Sequence, residues 1–498
     1  MSSCVRWMAV AAGVSLLSAC NLAPRYDPPH FVLPESYQGS GPFRLAQPDA
    51  VTTLPGDWWT LFGDAELNQL EEELDRANPT LQAAAEAYTQ ARALAAEAQS
   101  VLYPQVGLEA SVSNNRQSEH RLFRSGDTGR NVESSNVIAA SASWEPDFWD
   151  ALRNRAREQK RLAQASAAEL AAARLSLEAE LANDYVALRG LDAELLVLRE
   201  SILAYQKDVE VTRLRVTGKI ASGLDLARAS SQLSSAEAQE TDTRLQRDLM
   251  QHAIAVLVGA IASRFSIAPA EELRLTAPQL PPGIPSELLE RRPDIAGAER
   301  QMAAANAAIG ISRAAFYPHV TFSATGGFQD NSFNLFSISN SLWSVGAGAV
   351  LPLFEGGLRR AELERTWAAY AQTRDDYRAT VLQAFREVED GLSLSHRLQL
   401  EVEQQHEASQ QAAQALDIAT LLYKDGLDNY LSVSVAQVQA LAARTMEVQV
   451  ETRRIQASIA LIRALGGGWA VQALPTEEQT LRSKASPTAA VAGDQESP

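Results

Sequence analysis

The chain has 498 residues and a formal net charge of −17, and alanine, leucine, glutamate, glutamine and arginine dominate long stretches of it. Length alone would admit two to four ordinary domains, but sparse glycine, proline and aromatic residues point to long helices and coiled coils instead. The acidic balance, with no basic run, excludes a nucleic-acid-binding protein and one that grips anionic lipid through a basic patch. Two cysteines, Cys4 and Cys20, both lie in the first twenty residues. Neither a disulfide framework nor a cysteine metal site is therefore expected in the body of the protein. The six histidines are scattered with no i,i+4 pair, so no metal and no cofactor is expected.

Residues 1–19 read as a signal peptide. Arg6 supplies the positive flank and Trp7 to Leu17 an apolar run of signal-core length, too short to cross a bilayer as a helix, which needs about 20 residues. The run ends in Leu17-Ser18-Ala19-Cys20, which resembles the lipobox of bacterial lipoproteins. That resemblance implies that Cys20 is the mature N-terminus and carries several acyl chains, palmitate among them, enough for stable anchoring. Asn21, in place of an aspartate, points to the outer membrane. Residues 20–62 form the anchor and a periplasmic segment.

The body is a tandem duplication. Residues 78–106, NPTLQAAAEAYTQARALAAEAQSVLYPQV, align without a gap to residues 292–320, RPDIAGAERQMAAANAAIGISRAAFYPHV. Further on, Gly218 pairs with Gly426, Leu224 with Leu431, Ala229 with Ala436 and Gln232 with Gln439. The repeats span 63–262 and 286–468, joined by a proline-bearing linker at 263–285. In each, a helix opens at Pro79 or Pro293 and stops at Tyr-Pro. Two strand segments follow, Gln105–Ser113 and Asn136–Trp144 in the first repeat, His319–Phe328 and Ser341–Leu351 in the second. Val106, Leu108, Ala110 and Val112 alternate with polar or small residues, the period of a two-faced strand, and each segment is near the length of a tilted membrane strand.

A long helix follows each hairpin, Ala151–Thr217 and Leu358–Lys424, without proline. Leu181, Leu188, Leu195 and Ile202 repeat every seven residues, with Leu191, Leu198 and Tyr205 as companions, a coiled-coil seam. At 1.5 Å per residue each rod is about 100 Å long. A break at Gly218 or Gly426 leads into a second helix, Leu224–Gly259 or Leu431–Leu465. The helix over 78–102 stacks end to end with it, beside the long helix. The tail, 469–498, rich in Ala, Ser, Thr, Glu and Pro, is expected to be disordered. Four strands per chain cannot close a barrel, and an open edge in lipid is not viable, so oligomerisation is expected. Two copies would supply eight strands and three copies twelve.

The segments Trp58-Trp59-Thr60-Leu61-Phe62-Gly63-Asp64, Glu290-Arg291-Arg292-Pro293-Asp294-Ile295, Leu351-Pro352-Leu353-Phe354-Glu355-Gly356-Gly357, Tyr423-Lys424-Asp425-Gly426 and Ala464-Leu465-Gly466-Gly467-Gly468-Trp469 follow one another in order. In this the chain resembles the TolC-like outer-membrane efflux family, in its OprM-type lipoprotein branch. The resemblance implies a mainly α-helical protein with a membrane β-barrel. It implies a homotrimer sharing a twelve-stranded barrel continued by a coiled-coil periplasmic tunnel, partnered by a periplasmic membrane-fusion adaptor and an inner-membrane RND-type pump. Its function is then the exit duct of a tripartite efflux pump for small toxic compounds or drugs. A duct for protein or peptide secretion and a non-channel lipoprotein scaffold are the alternatives. No G-x-S-x-G, P-loop, H-E-x-x-H or G-x-G-x-x-G after a strand is present, so no enzyme is expected.

By the same resemblance the two helical turns form the periplasmic tip. Gly218, Lys219, Ser222, Leu224, Tyr423, Gly426, Asn429 and Tyr430 are the candidates for docking the adaptor. Leu431 matches the family's apolar gate position. The aspartate and arginine that usually follow are Val435 and Val438 here. Asp225 and Arg228 are the charged candidates to replace them, pairing within or between subunits; otherwise they are a helix-start acid and an exposed base.

Overall fold

The computed structural model describes residues 21–29, 54–116, 132–270, 275–278, 288–332 and 334–481. Cys20 lies outside them. In chain order the elements are α1 (Ala65–Ala77), α2 (Pro79–Ser100), β1 (Gln105–Arg116), β2 (Val132–Trp144), α3 (Ala151–Thr217), α4 (Gly223–Leu257), α5 (Pro293–Ala314), β3 (His319–Asp330), β4 (Ser341–Val350), α6 (Leu358–Lys424), α7 (Tyr430–Ala464) and α8 (Glu477–Leu481). A single helical turn at Leu288–Arg291 precedes α5. Both long helices have 67 residues and end at the expected breaks, Thr217 before Gly218 and Lys424 just before Gly426. The heptad residues Leu181, Leu188, Leu195 and Ile202 are buried, with Leu198 and Tyr205 beside them, which is what an apolar seam requires of a helix too long to stand alone.

The four strands form one antiparallel sheet in the order β1-β2-β3-β4. Register fixes its two faces, because residues paired across strands point the same way. Leu108 pairs with Ala140, Ala140 with Gly326, and Gly326 with Trp343. One face therefore carries Val106, Leu108, Val112, Ile138, Phe322, Phe328, Trp343 and Val345. The other carries mainly Ser, Thr and Gly with Gln105, Glu109 and Gln329, interrupted by Val137, Ala139, Leu342 and Val350. An apolar outside and a small polar inside are the faces of a membrane barrel wall. Aromatic pairs close both ends of the apolar band. Trp144 stacks on Phe322 at 6.2 Å next to the helices, and Phe328 meets Phe336 at 5.6 Å at the far rim.

The stacking of short helices beside each long one is held by a pair of glycine junctions. Asn78 caps α2 by accepting from the Leu81 N–H (2.8 Å) and donates to the Leu257 carbonyl at the end of α4 (2.8 Å). Gly259, at φ +70°, then turns so closely that a Cβ would lie 2.4 Å from the Ala77 carbonyl oxygen. Gly466 repeats this after α7, where a Cβ would lie 1.9 Å from the Arg291 carbonyl oxygen. There Arg292 bridges the Ala464 carbonyl (3.2 Å), Glu387 (2.7 Å) and Asp294 (2.6 Å). The Arg-Pro-Asp and Gly-Gly-Gly segments are thus the two halves of one joint.

The largest hydrophobic core surrounds the middle of the long helices. Trp58, Trp59, Phe62, Leu67, Leu74, Leu181, Tyr185, Ile254, Ile295, Met302, Val381 and Ile455 belong to it. Asp64 closes that motif by capping α1 and accepting from the Tyr185 hydroxyl (3.0 Å). A buried ion network pins the start of the linker to α3 and α4. Asp192 accepts from Arg189 (3.0 Å), Arg247 (2.5 Å) and the Ala270 N–H (3.1 Å), while Arg247 donates to the Ile267 carbonyl (2.9 Å).

Two expectations are corrected here. The tail is ordered at its start: α8 packs on α2 and α3, with Arg161 bridging Glu477 (2.6 Å) and Gln164 holding the Pro475 carbonyl (2.9 Å). Composition misled because these contacts are made by a helix surface 311 residues away in the chain. Residues 482–498 lie outside the described residues. The pairing of Gly218 with Gly426 is also one residue out. Gly218 has φ −75° and merely caps α3, whereas Lys219 takes the left-handed conformation (φ +56°) that Gly426 takes in the second repeat (φ +75°). The hydrogen bonds agree: Ile220 N–H to the Arg215 carbonyl (2.8 Å) matches Leu427 N–H to the Leu422 carbonyl (2.9 Å). Sequence matching favoured glycine with glycine, although a lysine held by the same helix-end bonds can occupy the site at a cost of about 1 kcal/mol.

Candidate functional site

The helices turn back at one end of the rod, and all of the predicted tip residues gather there. Ser222 caps α4 in a reciprocal box, accepting from the Asp225 N–H (3.3 Å) and giving its own N–H to the Asp225 carboxylate (3.1 Å). Asn429 caps α7 by accepting from the Leu431 (3.0 Å) and Ser432 (3.3 Å) N–H groups. The two turns are tied together by Arg215, which donates to the carbonyls of Tyr423 (3.2 Å) and Lys424 (3.1 Å) and lies 4.5 Å over the Tyr423 ring.

Gly218, Lys219, Ser222, Leu224, Gly426 and Asn429 are exposed and Tyr423 is half-buried. Tyr430 is not available for docking: it is 3% exposed, packed with Val209, Ala229 and Val433 and edge-on to Tyr423 at 5.4 Å. It is the keystone of the tip. Its place at the first turn of α7 points it between the helices, which a position in a turn-like sequence does not reveal. Asp225 and Arg228 do not pair within the protomer. Asp225 is committed to the capping box, and Arg228 makes no ion pair among the described residues. Within the protomer Asp225 is a helix-start acid.

Leu431, Val435 and Val438 stand on one face of α7, at the i, i+4, i+7 spacing, and all three are exposed in the protomer. Val438 also lines a groove of about 770 Å³ between α4 and α7, with Gln232, Gln239, Leu441 and Met446. Two tip residues escaped the sequence reading, Ile220 and Leu427, exposed at 77% and 75%. The corrected alignment would have found them, since it pairs Ile220 with Leu427, Leu214 with Leu421 and Leu224 with Leu431. All six are exposed. Each turn presents the same apolar triplet.

A second region joins the strands to the helices. Residues just after Cys20 run down a groove between α3 and α5. Asn154 donates to the Asn21 side-chain carbonyl (3.1 Å), Arg313 to the Leu22 carbonyl (3.0 Å) and Asn306 to the Pro24 carbonyl (3.0 Å), and Tyr26 donates to Glu299 (2.5 Å). Asn154 is in the first turn of α3, next to the barrel strands, so Asn21 is held at the membrane end of the rod.

In the core, two carboxylates face each other without a cation between them. Glu71 on α1 is 1% exposed, and neither of its oxygens has a hydrogen-bond partner. Burial, then Glu178 and Asp75, pushes its carboxyl up to about 10. Burial lifts Glu178 to about 7, and the Trp58 indole N–H, donating to it at 3.3 Å, restrains the shift. Among the described residues no cluster of three His, Cys, Asp or Glu is placed to hold a metal, and no helix is long and apolar enough to cross a membrane.

The sequence profile of the outer membrane efflux protein family matches residues 70–260 and 284–467. Outer membrane protein OprJ of Pseudomonas aeruginosa is 31% identical over 460 residues, covering 91% of this chain and 94% of OprJ. The pyoverdine export outer membrane protein OpmQ of the same species is 32% identical over 419 residues, covering 83% of this chain and 87% of OpmQ. The crystal structure of the outer membrane protein VceC from Vibrio cholerae matches with a TM-score of 0.78 at 31% identity, covering 84% of this chain and 99% of VceC. With a two-faced sheet above paired helical rods, both repeats matched, and a fold shared with TolC-like trimeric channels, the chain belongs to the outer membrane efflux protein family and is an efflux channel, not an enzyme.

Proposed function

We propose that three copies of this chain form the exit duct of a tripartite pump that expels small toxic compounds. A periplasmic membrane-fusion adaptor docks at the helical tip, and an inner-membrane RND-type pump supplies the energy. The observation that carries this reading is the four-stranded sheet with two open edges and an apolar face. Such a sheet is stable in lipid only when copies close it into a barrel, and the rod below it is long enough to reach across the periplasm toward a partner. Named relatives support small molecules as cargo: OpmQ is named for pyoverdine export and TtgF for toluene efflux. At the tip, the apolar collar of Leu431, Val435 and Val438 closes the pore by excluding water, in place of a charged ring. Cys20 carries the lipid, and the strap that fixes Asn21 beside the strands supports that placement.

Deleting the gene in its host and testing susceptibility to a panel of dyes, detergents, solvents and antibiotics checks the proposal. Increased susceptibility, restored by the intact gene, is expected. Unchanged susceptibility together with loss of a secreted protein would replace this reading with the secretion one.

A further inference from the structure

The α7 stripe that carries the collar does not end at Val438. Continued at the same spacing it runs through Ala442, Thr445 and Gln449, and these residues form one wall of the groove of about 770 Å³ whose other wall is α4. At 1.5 Å per residue the groove begins about 10 Å beyond Leu431 and reaches about 27 Å from it. Its floor is α3, where Leu198 is buried in an apolar cluster with Ala236 and Leu441 at the feet of the two walls. Val438 and Met446 are exposed at the rim. A methionine there suits a flat apolar ligand, because its thioether is polarisable and its side chain adapts in shape. The volume is that of a site for a drug-sized molecule.

Two carboxylates line the groove, Glu194 on the floor and Asp242 on the α4 wall, and no lysine or arginine does. Arginines on nearby turns are held elsewhere: Arg199 and Arg244 on Glu240, Arg247 on Asp192. The duplication shows what is missing. Because α3 and α6 have 67 residues each, and α4 and α7 35 each, the repeats superpose Glu194 on Glu401, Asp242 on Gln449 and Gln246 on Arg453. In the second repeat Arg453 neutralises Glu401 at 2.6 Å. In the first, a glutamine stands where that arginine would, and its amide donates to Asp242 instead (2.7 Å). Glu194 accepts from Gln449, and burial raises its carboxyl above the ordinary value with no cationic neighbour opposing the shift. The groove thus has one acid more and one base fewer than its own image.

We propose that this groove binds amphiphilic organic cations on the tunnel wall beyond the collar, with the charged centre toward Glu194 and Asp242 and the apolar body on Leu198, Leu441 and Met446. The bound cation supplies the charge that Arg453 supplies in the second repeat. The site deepens the small-molecule duct reading and rests on it, since it requires the Leu431 stripe of α7 to face the tunnel.

Ethidium, a flat monocation, and anilinonaphthalene sulfonate, an anion of similar build, test the site in the full-length detergent-solubilised protein, with the heat-resistant oligomer on gels as the folding control. Fluorescence anisotropy should show saturable ethidium binding, weakened about tenfold when Glu194→Gln and Asp242→Asn together remove two charges. Gln246→Arg, which restores the cation of the second repeat, should weaken it as well. Glu401→Gln, at an acid already paired, should leave it unchanged, and neither of the weakening changes should lower the affinity for the sulfonate. In planar bilayers ethidium should interrupt the single-channel current of the Leu431→Ser protein, and adding Glu194→Gln and Asp242→Asn should relieve the block. No saturable binding, binding that ignores the charge changes, a sulfonate that responds to them as ethidium does, or binding without block overturns the site. Charge-dependent block by a protein whose deletion leaves drug susceptibility unchanged would count against the efflux reading and leave the site standing.

Discussion

Replacing Glu71 with glutamine isolates the charge that the core tolerates least. In the folded protein the carboxyl is raised to about 10, whereas in the unfolded chain it ionises at its ordinary value near 4.5. A raised acid binds its proton more tightly in the folded state, so its contribution is favourable only at low pH. Stability is lost as pH climbs from about 4.5 toward 10. The slope of one such proton is about 1.4 kcal/mol per pH unit. At pH 7.5 the full effect would approach about 4 kcal/mol, a ceiling that relaxation and water entry lower. Glu178 adds to the slope between about 4.5 and 7, with Arg174, bridged to Asp75 at 3.1 Å, offsetting part of its shift. Glutamine keeps the shape and abolishes the ionisation. Thermal unfolding of the detergent-solubilised protein, followed by circular dichroism from pH 5 to pH 9, should give similar midpoints for both proteins at pH 5. At pH 8.5 Glu71→Gln should melt several degrees higher, with a flatter pH profile. A variant that melts lower than the parent at pH 8.5, or keeps the parent's slope, would refute the reasoning.

Asp192→Ala strips the carboxylate from Arg247 and one of two from Arg189, which keeps Glu66, and both arginines are nearly buried. It should destabilise the waist by about 3–5 kcal/mol and open the segment near Ile267 to limited proteolysis. Gly466→Ala meets the Arg291 carbonyl and an unfavourable backbone angle together; it should abolish the heat-resistant trimer on gels, where a surface substitution such as Leu214→Ala leaves it. Leu431→Ser should raise single-channel conductance in planar bilayers, and unchanged conductance would remove the apolar collar as the closing element. Cys20→Ala should eliminate palmitate labelling in vivo yet leave the heat-modifiable oligomer, since barrel closure rests on strand pairing and not on the anchor.

Much of the architecture is written locally in the chain. Helices of the right length follow from proline-free sequence with apolar residues every seven positions, broken at Gly218 and Gly426. The strands follow from the two-residue alternation after Tyr-Pro, because period and punctuation are properties of neighbouring residues. That four strands need partner copies follows from the cost of an unpaired edge in lipid. The tertiary structure decided what depends on distant surfaces. Tyr430 and Leu431 are adjacent in a turn-like sequence, yet one is a buried keystone and the other faces outward, because α3 and α4 close over only one side of α7. Lys219, not Gly218, takes the left-handed position, since the bonds that end α3 set the backbone whatever side chain stands there. Glu71 reads as one of many acids on a charged helix until Leu67, Trp58 and Glu178 are packed around it. Periodicity tells a helix which face is apolar; only the fold tells it which polar groups must be buried with that face.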